Sequence, residues 1–262
     1  MTLSWMNCVA GFGVGALVGL TGVGGGSLTA PIMILVFGVA PNVAVGTDLW
    51  FAGITKLVGA WIHGYKGSID RQIVVRMLWG SLPAAAVTLS WLWVSGSSQS
   101  HNQLMFRTLG LTLLLTCAAA AFRRRIHSFG QRMRGSRPIE FKKAQPVLTV
   151  LAGAALGFLV TFTSIGAGAL GAVMLLYLYP FRLTASKLVG TDIAHAIPLT
   201  LLAGTGHLFL GNVNSELLAG LLIGSIPGIA LGSLVSTHAP ERLVRSAIYV
   251  MLAAVGLKML GS

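Results

Sequence analysis

The sequence predicts an all-α polytopic membrane protein made of two inverted-topology repeats, each with about five helical segments, the first two broken at a Gly-rich tip. Three observations predict this fold: the apolar composition, an internal repeat and the placement of basic residues. Of the 262 residues, 55% are hydrophobic and only 9% are charged, whereas soluble domains carry about a quarter charged residues. Long apolar runs such as 78–94 and 111–122 recur along the chain, as in helical membrane proteins.

The repeat relates the two halves of the chain. Residues 45–70 and 189–214 are identical at 8 of 26 positions without a gap, and both begin with VGTD. The same offset pairs GSLP at 80–83 with GSIP at 224–227. A shift of two residues also aligns the glycine-rich stretch before the first VGTD with one before the second. These matches predict an internal duplication, which is common in secondary transporters.

Each half is predicted to contain the same series of helices. The segments are 3–20, 27–38, 44–63, 71–94 and 103–123, then 146–162, 168–180, 187–209, 215–237 and 242–260. The second segment of each half, about a dozen residues or roughly 18 Å long, is too short to cross a hydrocarbon core of ~30 Å. The first two segments of each half are therefore expected to form a helical hairpin or a pair of short helices. The predicted units are an N-terminal transmembrane repeat at 1–123, a basic cytoplasmic loop at 124–144 and a C-terminal transmembrane repeat at 145–262.

Basic residues predict the orientation. Eight of the 18 Lys and Arg residues lie within 123–143. Basic runs bind nucleic acid or anionic lipid in other settings, but a run between two apolar halves is typical of a cytoplasmic loop. If each half has an odd number of segments, the other loops with Lys or Arg also lie inside, and both termini lie outside. Four crossings per half would instead place Arg182 and Arg242 outside.

Two glycine-rich breaks, TGVGGGS at 21–27 and TSIGAGA at 163–169, interrupt the helices at matching places. A broken helix within a membrane requires surrounding protein or a water-filled cavity. The next helix begins with free N–H groups, and glycine lets a ligand approach the backbone. Two such helix N-termini would form an anion site; the alternative is a close-packed helix crossing. The candidate substrate-binding residues here are Thr21, Gly24, Gly25, Gly26, Ser27, Thr163, Ser164, Gly166 and Gly168.

Few polar residues lie in the apolar segments, so each is a functional candidate. Asp48 and Asp192 of the VGTD motifs are predicted either to cap helices, together with Thr47 and Thr191, or to couple protons or ions. Lys56 needs a counter-charge, which an anionic substrate or Asp48 would supply. His195 would shuttle protons or donate to an oxyanion, and Lys56 and His195 complete the substrate-binding set.

The remaining polar residues and glycines are expected to be structural. His63 and His207 are predicted to bond to helix-end carbonyls, and glycines spaced by four residues are predicted to pack helices closely. With six acidic residues in all and no metal-ligand set, the sequence predicts a protein that is not an enzyme and uses no cofactor or metal. Its expected partners are membrane lipids and a small anion, not nucleic acid; protons as the coupling ion and a homodimer stay open.

The stretch GLTGVGGGSLTAPIMILVFGV with the first VGTD, followed by TSIGAGALG and LVGTD in the second half, resembles the sulfite exporter TauE/SafE family, the 4-toluene sulfonate uptake permeases. The resemblance covers essentially the whole chain apart from 124–143. It implies transport of small sulfur-containing anions such as sulfite or organosulfonates, commonly as export. Gly24, Gly25, Gly26 and Ser27 match the first-half motif. The second half departs from it, because Ala167 and Ala169 flank Gly168.

Together, these features predict a multi-pass secondary transporter in a bacterial-type inner membrane. It would export small sulfur-containing anions by alternating access around a midplane site. The alternatives are a passive anion channel and an uptake permease for another small oxyanion.

Overall fold

A computed structural model of the protein describes residues 5–21, 29–63, 69–96, 99–136, 138–236 and 241–261. Within these ranges the chain forms eleven helices and no strand, which confirms the all-α prediction. The helices of the first half are α1 (Trp5–Thr21), α2 (Thr29–Leu35), α3 (Pro41–His63), α4 (Arg71–Ser95) and α5 (Gln99–Ala121). They are followed by α6 (Arg123–Ser136), α7 (Pro138–Thr163), α8 (Ala169–Leu178), α9 (Ala185–Phe209), α10 (Ser215–Ser236) and α11 (Glu241–Gly261).

Five helices are long and apolar enough to cross a membrane, within the part of the chain that the structure describes. Their apolar stretches are Arg71–Ser95, Asn102–Ala121, Ile139–Thr163, Ala185–Phe209 and Ser215–Gly232. The protein is therefore a multi-pass membrane protein. Which side of the membrane each end faces stays a prediction.

The helices next to the breaks end and begin close to the predicted residues. Helix α7 ends at Thr163 and α8 begins at Ala169; α1 ends at Thr21 and α2 begins at Thr29. The first break itself, 22–28, lies outside the described residues. Helices α2 and α8 have only 7 and 10 residues, about 11 and 15 Å at 1.5 Å per residue. The prediction of one short helix after each break is confirmed.

The segment between the halves is helical, although the sequence predicted a loop there. Helix α6 covers Arg123–Ser136, and α7 begins at Pro138. The prediction depended on apolar runs, and α6 has none. One side of α6 instead packs on the protein at Gly130, while the side with Arg124 and Arg132 is exposed, and this amphipathic pattern is typical of helices at a surface. The cytoplasmic location of this segment stays a prediction.

The most extensive helix contacts join the two halves. Helix α1 packs on α10 and α4 on α7, while α3 packs on α9 and α5 on α11. In the alignment of the two halves, α1 corresponds to α7 and α4 to α10, so the α1–α10 and α4–α7 contacts are equivalent. Helices α3 and α5 correspond to α9 and α11, so each of the other two contacts joins a helix to its own counterpart. This is the pairing expected of two duplicated halves related by a twofold axis.

Glycines allow the backbones of these pairs to touch. A Cβ atom added to Gly11 of α1 would lie 2.4 Å from the carbonyl oxygen of Leu221, and one added to Gly153 of α7 would lie 2.2 Å from that of Met77. Gly224 of α10 similarly approaches the carbonyl of Cys8. Since Leu221 corresponds to Met77 in the alignment, the two contacts are equivalent. These distances confirm the predicted close packing at glycines.

We expect Gly11→Val to destabilise the protein far more than Gly13→Val in the same helix. The added side chain at Gly11 would meet the backbone of Leu221, whereas nothing lies within 4 Å of a Cβ at Gly13. Overpacking of this kind costs about 1–3 kcal/mol or more, and the intrinsic helix preference of the two substitutions is the same. Unfolding temperatures of the purified variants in detergent check this. Equal losses at the two positions would contradict the close contact.

Candidate functional site

The second break is a tight, left-handed stretch of backbone between α7 and α8. Ser164, Gly166 and Gly168 have φ angles of 59°, 130° and 137°, and the last two suit glycine far better than other residues. Thr163 ends α7, because its Oγ1 donates to the carbonyl of Leu159 at 2.6 Å and accepts from the N–H of Ile165 at 3.2 Å. The hydroxyl of Thr163 is therefore used to shape the break.

Helix α8 begins without a side-chain cap, because its N-cap residue is Gly168. The N–H groups of Gly171 and Ala172 are bonded to the carbonyls of Gly166 and Gly168, at 3.1 and 2.9 Å. No such bond is seen for the first two N–H groups, of Ala169 and Leu170, within the described chain. These donors and the positive end of the helix dipole face the break.

Lys56 brings a positive charge from the first half to this break in the second half. Its Nζ donates to the carbonyl oxygen of Ala167 at 3.1 Å, and the side chain is only 8% exposed. The lysine belongs to α3, whereas Ala167 lies immediately before α8. The two halves therefore meet at a buried ammonium group.

Two buried carboxylates flank this lysine at corresponding positions of the repeat. Asp192 of α9 lies against Gly171, where an added Cβ would be 2.3 Å from Oδ1. Asp48 of α3 lies beside the hydroxyls of Thr29 and Ser164. Thr29 and Gly171 occupy equivalent positions at the start of α2 and α8. Each carboxylate thus lies beside the short helix that follows its own break.

We call Asp48, Lys56 and Asp192 the buried charge cluster. Lys56 lies within electrostatic range of both carboxylates. Asp48 has the hydroxyls of Thr29 and Ser164 beside it, whereas Oδ1 of Asp192 has no hydrogen-bond partner among the described residues. A buried carboxylate is costly unless a charge or hydrogen bonds compensate it, and Lys56 is the compensating positive charge near both groups. No group of three or more His, Cys, Asp or Glu suited to a metal occurs in the described ranges.

His195, one turn after Asp192, adds a titratable ring near the cluster. Its Nε2 lies 3.0 Å from Oγ of Ser81, and its Nδ1 has no partner in the described part of the chain. Lys56 is close enough to His195 to act on it electrostatically. Ser81 was not among the predicted site residues, although its motif GSLP had been matched to GSIP. The sequence did not indicate Thr29 and Gly171 as site residues either, because only their closeness to Asp48 and Asp192 in the structure places them at the site.

The two VGTD threonines do not cap their own helices. Thr184 is the N-cap of α9, and its hydroxyl accepts from the N–H of Lys187. The helix-capping prediction is therefore wrong for Thr191 and Asp192. Thr47 and Asp48 likewise lie well inside α3, beyond the first four N–H groups that a cap would satisfy.

Each threonine instead binds the chain just before a helix of the other half. Thr191 Oγ1 accepts from the N–H of Asp70 at 3.0 Å, directly before α4, and Thr47 Oγ1 accepts from that of Asn214 at 3.0 Å, directly before α10. Asp70 corresponds to Asn214 in the repeat. The two VGTD motifs therefore hold the halves together by equivalent bonds.

His207 behaves as the sequence predicted. Its Nε2 donates to the carbonyl of Thr161 at 2.9 Å, within the last turn of α7, and Nδ1 accepts from Nδ2 of Asn212 at 3.4 Å. The side chain of His63 lies outside the described residues, as does that of Thr21. Gly24, Gly25, Gly26 and Ser27 also lie outside them, so their part in the site stays a prediction.

Comparison with known proteins agrees with the sequence resemblance. Residues 7–259 match the family model of the sulfite exporter TauE/SafE. The chain is 38% identical over 255 residues to the probable membrane transporter protein YjnA of Bacillus subtilis, covering 95% of this chain and 97% of YjnA. It is 26% identical to the probable membrane transporter protein YdhB of the same organism, over 95% of this chain and 97% of YdhB. A probable membrane transporter protein of Xylella fastidiosa is 26% identical, over 98% of this chain and 95% of that protein.

No solved structure matches the chain significantly. The family model, by contrast, extends over both halves and includes the second break, both VGTD motifs and Lys56. The protein therefore belongs to the sulfite exporter TauE/SafE family of membrane transporters.

Proposed function

We propose that the protein is a secondary transporter that exports small sulfur-containing anions, such as sulfite or organosulfonates, by alternating access around the second break. One observation carries this proposal: the buried ammonium group of Lys56 from one half is bonded to the broken helix of the other half. Charged side chains within a membrane protein typically mark a substrate or ion pathway. The family name supports a sulfur oxyanion as the substrate.

The donors around the break suit a small oxyanion. The N–H groups of Ala169 and Leu170, the hydroxyl of Ser164 beside Asp48 and the Lys56 ammonium are all hydrogen-bond donors. An anion entering the break would replace the carbonyl of Ala167 as the partner of Lys56. The glycine at 168 leaves room for the anion to approach the backbone, since no atom lies within 4 Å of a Cβ at Gly168.

The charges of the cluster support proton coupling. With histidine neutral and both carboxylates ionised, Asp48, Lys56 and Asp192 sum to one negative charge. A bound monovalent anion would raise the buried excess to two negative charges, which is costly in a low dielectric. One proton taken up by a carboxylate with each anion removes this cost, and because the anion and the proton then cross together, export runs down the gradient of the anion. Asp48 and Asp192 are thus the proposed coupling residues.

Two polar contacts between the halves are placed to open alternately. Arg182 forms a two-point ion pair with Asp70, at 2.6 and 2.9 Å, on the predicted inner side. Asn42 Nδ2 donates to Oδ1 of Asn212 at 2.7 Å on the predicted outer side. The first contact joins the loop after α8 to the residue before α4, and the second joins the first turn of α3 to the loop after α9. In the proposed cycle, breaking one contact while the other stays closed exposes the site to one side at a time.

The proposed setting is a bacterial-type inner membrane, with 123–143 in the cytoplasm and both termini outside. In this setting the basic segment raises the local anion concentration at the inner entrance, which favours export. The proposed protein binds and releases its substrate without chemical change and needs no cofactor.

Counterflow in proteoliposomes tests this function directly. Vesicles preloaded with sulfite should take up labelled sulfite transiently above equilibrium, and organosulfonates should compete better than sulfate or carboxylates. An imposed pH gradient should drive net accumulation. A passive channel would show flux without counterflow, and an uptake permease for another oxyanion would show counterflow with that anion but not with sulfite.

A further inference from the structure

Helix α6 is strongly basic on its outer side. Its sequence RRRIHSFGQRMRGS contains five arginines and no acidic residue. Arg124, Arg125 and Arg132 line an open groove together with Ser128 and Phe129. Residues 124, 128 and 132 follow one another at intervals of four, so they form one stripe along the helix.

Exposed aromatic side chains lie beside these arginines. Phe129 and Phe122 are 55% and 50% exposed, and the guanidinium of Arg125 lies 5.6 Å from the centre of the Phe122 ring. Arginines with exposed aromatic rings are typical of helices that lie in the interface between water and hydrocarbon.

The opposite side of α6 is attached to the end of α8. Gly130 approaches the carbonyl of Tyr177, where an added Cβ would be 2.5 Å away, and Nε2 of His127 lies 3.1 Å from the carbonyl of Pro180. Phe129 lies between the two sides, because its ring stacks on that of Tyr177 with centres 6.1 Å apart while the side chain stays 55% exposed. These contacts fix the rotation of α6 about its own axis, so the stripe formed by residues 124, 128 and 132 faces away from the protein.

The chain on both sides of α6 keeps it at the membrane surface. The apolar stretch before it ends at Ala121, and the one after it begins at Ile139, so membrane-spanning helices flank α6 within a few residues. A helix at this level of the membrane lies beside the lipid headgroups. Anionic phospholipids therefore supply the phosphate groups that its arginines meet.

We propose that α6 is a binding site for anionic phospholipids, in which Arg124, Arg125 and Arg132 bind the lipid phosphates and the two phenylalanines enter the interface. Arginine suits this role because its planar fork binds two phosphate oxygens at once. Through Gly130 and His127, a lipid bound to α6 also positions α8, the helix that begins at the second break. The proposal does not depend on the identity of the transported anion.

Thermal unfolding of the purified full-length protein in detergent tests the site. Phosphatidylglycerol should raise the unfolding temperature of the wild type at much lower concentrations than phosphatidylcholine does. Each arginine at an anionic surface strengthens association roughly fivefold. In the triple variant R124Q/R125Q/R132Q, the phosphatidylglycerol concentration that gives half the shift should therefore rise by at least about tenfold.

A matched control removes three exposed positive charges elsewhere, in the variant R71Q/R107Q/K187Q. It should keep the response of the wild type, and glycerol 1-phosphate, which has no acyl chains, should give no shift. If the first triple variant does not fold, the single variants R124Q and R125Q should each weaken the response by about fivefold. An unchanged response in the α6 variants, an equal loss in the control, or an equal shift with glycerol 1-phosphate would overturn the proposal.

Discussion

Replacing Lys56 by alanine is expected to lower sulfite counterflow by about 100-fold or more. The lysine is buried, and its ammonium group is the cation that α3 supplies to the second break, through the bond to the carbonyl of Ala167. Without it, a bound anion would face two carboxylates with no positive charge nearby. Breaking a buried charge pair costs about 3–5 kcal/mol, which corresponds to at least about a hundredfold in affinity. Uptake by reconstituted variants, normalised to the amount of folded protein, measures the effect.

Two variants separate the charge from other effects of this substitution. Lys56→Arg keeps the positive charge and should retain more transport than Lys56→Ala. Lys187→Ala removes an exposed lysine in the first turn of α9 and should leave transport unchanged. If Lys56→Ala transports sulfite with unchanged affinity and rate, Lys56 does not bind the substrate. A variant that loses counterflow while keeping its unfolding temperature shows that the defect is in the site.

The second large effect is expected for Asp192→Asn, which should strongly reduce the accumulation driven by a pH gradient. Asparagine has nearly the shape of aspartate, so it fits against Gly171, but it carries no charge and takes up no proton in this pH range. The neutral side chain mimics a permanently protonated carboxylate. Anion exchange should therefore persist, whereas accumulation in response to the gradient should fall by about tenfold or more, since coupled protons at a tenfold proton gradient contribute about 1.4 kcal/mol.

Counterflow and gradient-driven uptake, measured in the same vesicles, distinguish coupling from binding. Asp48→Asn tests the corresponding position of the first half. Glu216→Gln is the matched control, because Glu216 is an exposed carboxylate in the first turn of α10 and lies outside the site. Full gradient-driven accumulation in both Asp192→Asn and Asp48→Asn would remove the two carboxylates from the coupling step. Loss of both activities in Asp192→Asn would instead assign Asp192 to substrate binding.

Much of the fold could be predicted from local sequence signals. Long apolar stretches require helices in hydrocarbon, since every backbone polar group must be bonded within the segment. This is why the segments predicted at 71–94 and 187–209 agree with α4 and α9 to within a few residues. The missed helix, α6, is polar enough to form no apolar run, and its stability comes from packing on Tyr177 and from its amphipathic pattern.

The candidate site could be predicted only in part. Lys56, Asp192 and His195 were predicted because polar groups in apolar segments are rare and costly. Ser81 and Thr29 could not be selected, because serine and threonine are common in membrane helices and only proximity distinguishes these two. The role of Thr191 was mistaken for the same reason: its hydroxyl bonds to the N–H of Asp70, which is distant in sequence.

By itself, the sequence determined that this chain crosses a membrane with helices, where those helices break, and that its two halves repeat one pattern. Hydropathy, glycine runs and repeated motifs are features of short stretches of sequence. They can be recognised without knowing which distant residues come into contact. Only the tertiary structure decided that Lys56 of the first half bonds to the break of the second half, and that each aspartate lies beside the short helix after its own break. These contacts depend on how α3, α8 and α9 pack, because electrostatic and hydrogen-bond energies are set by distances in space and not by separation along the chain.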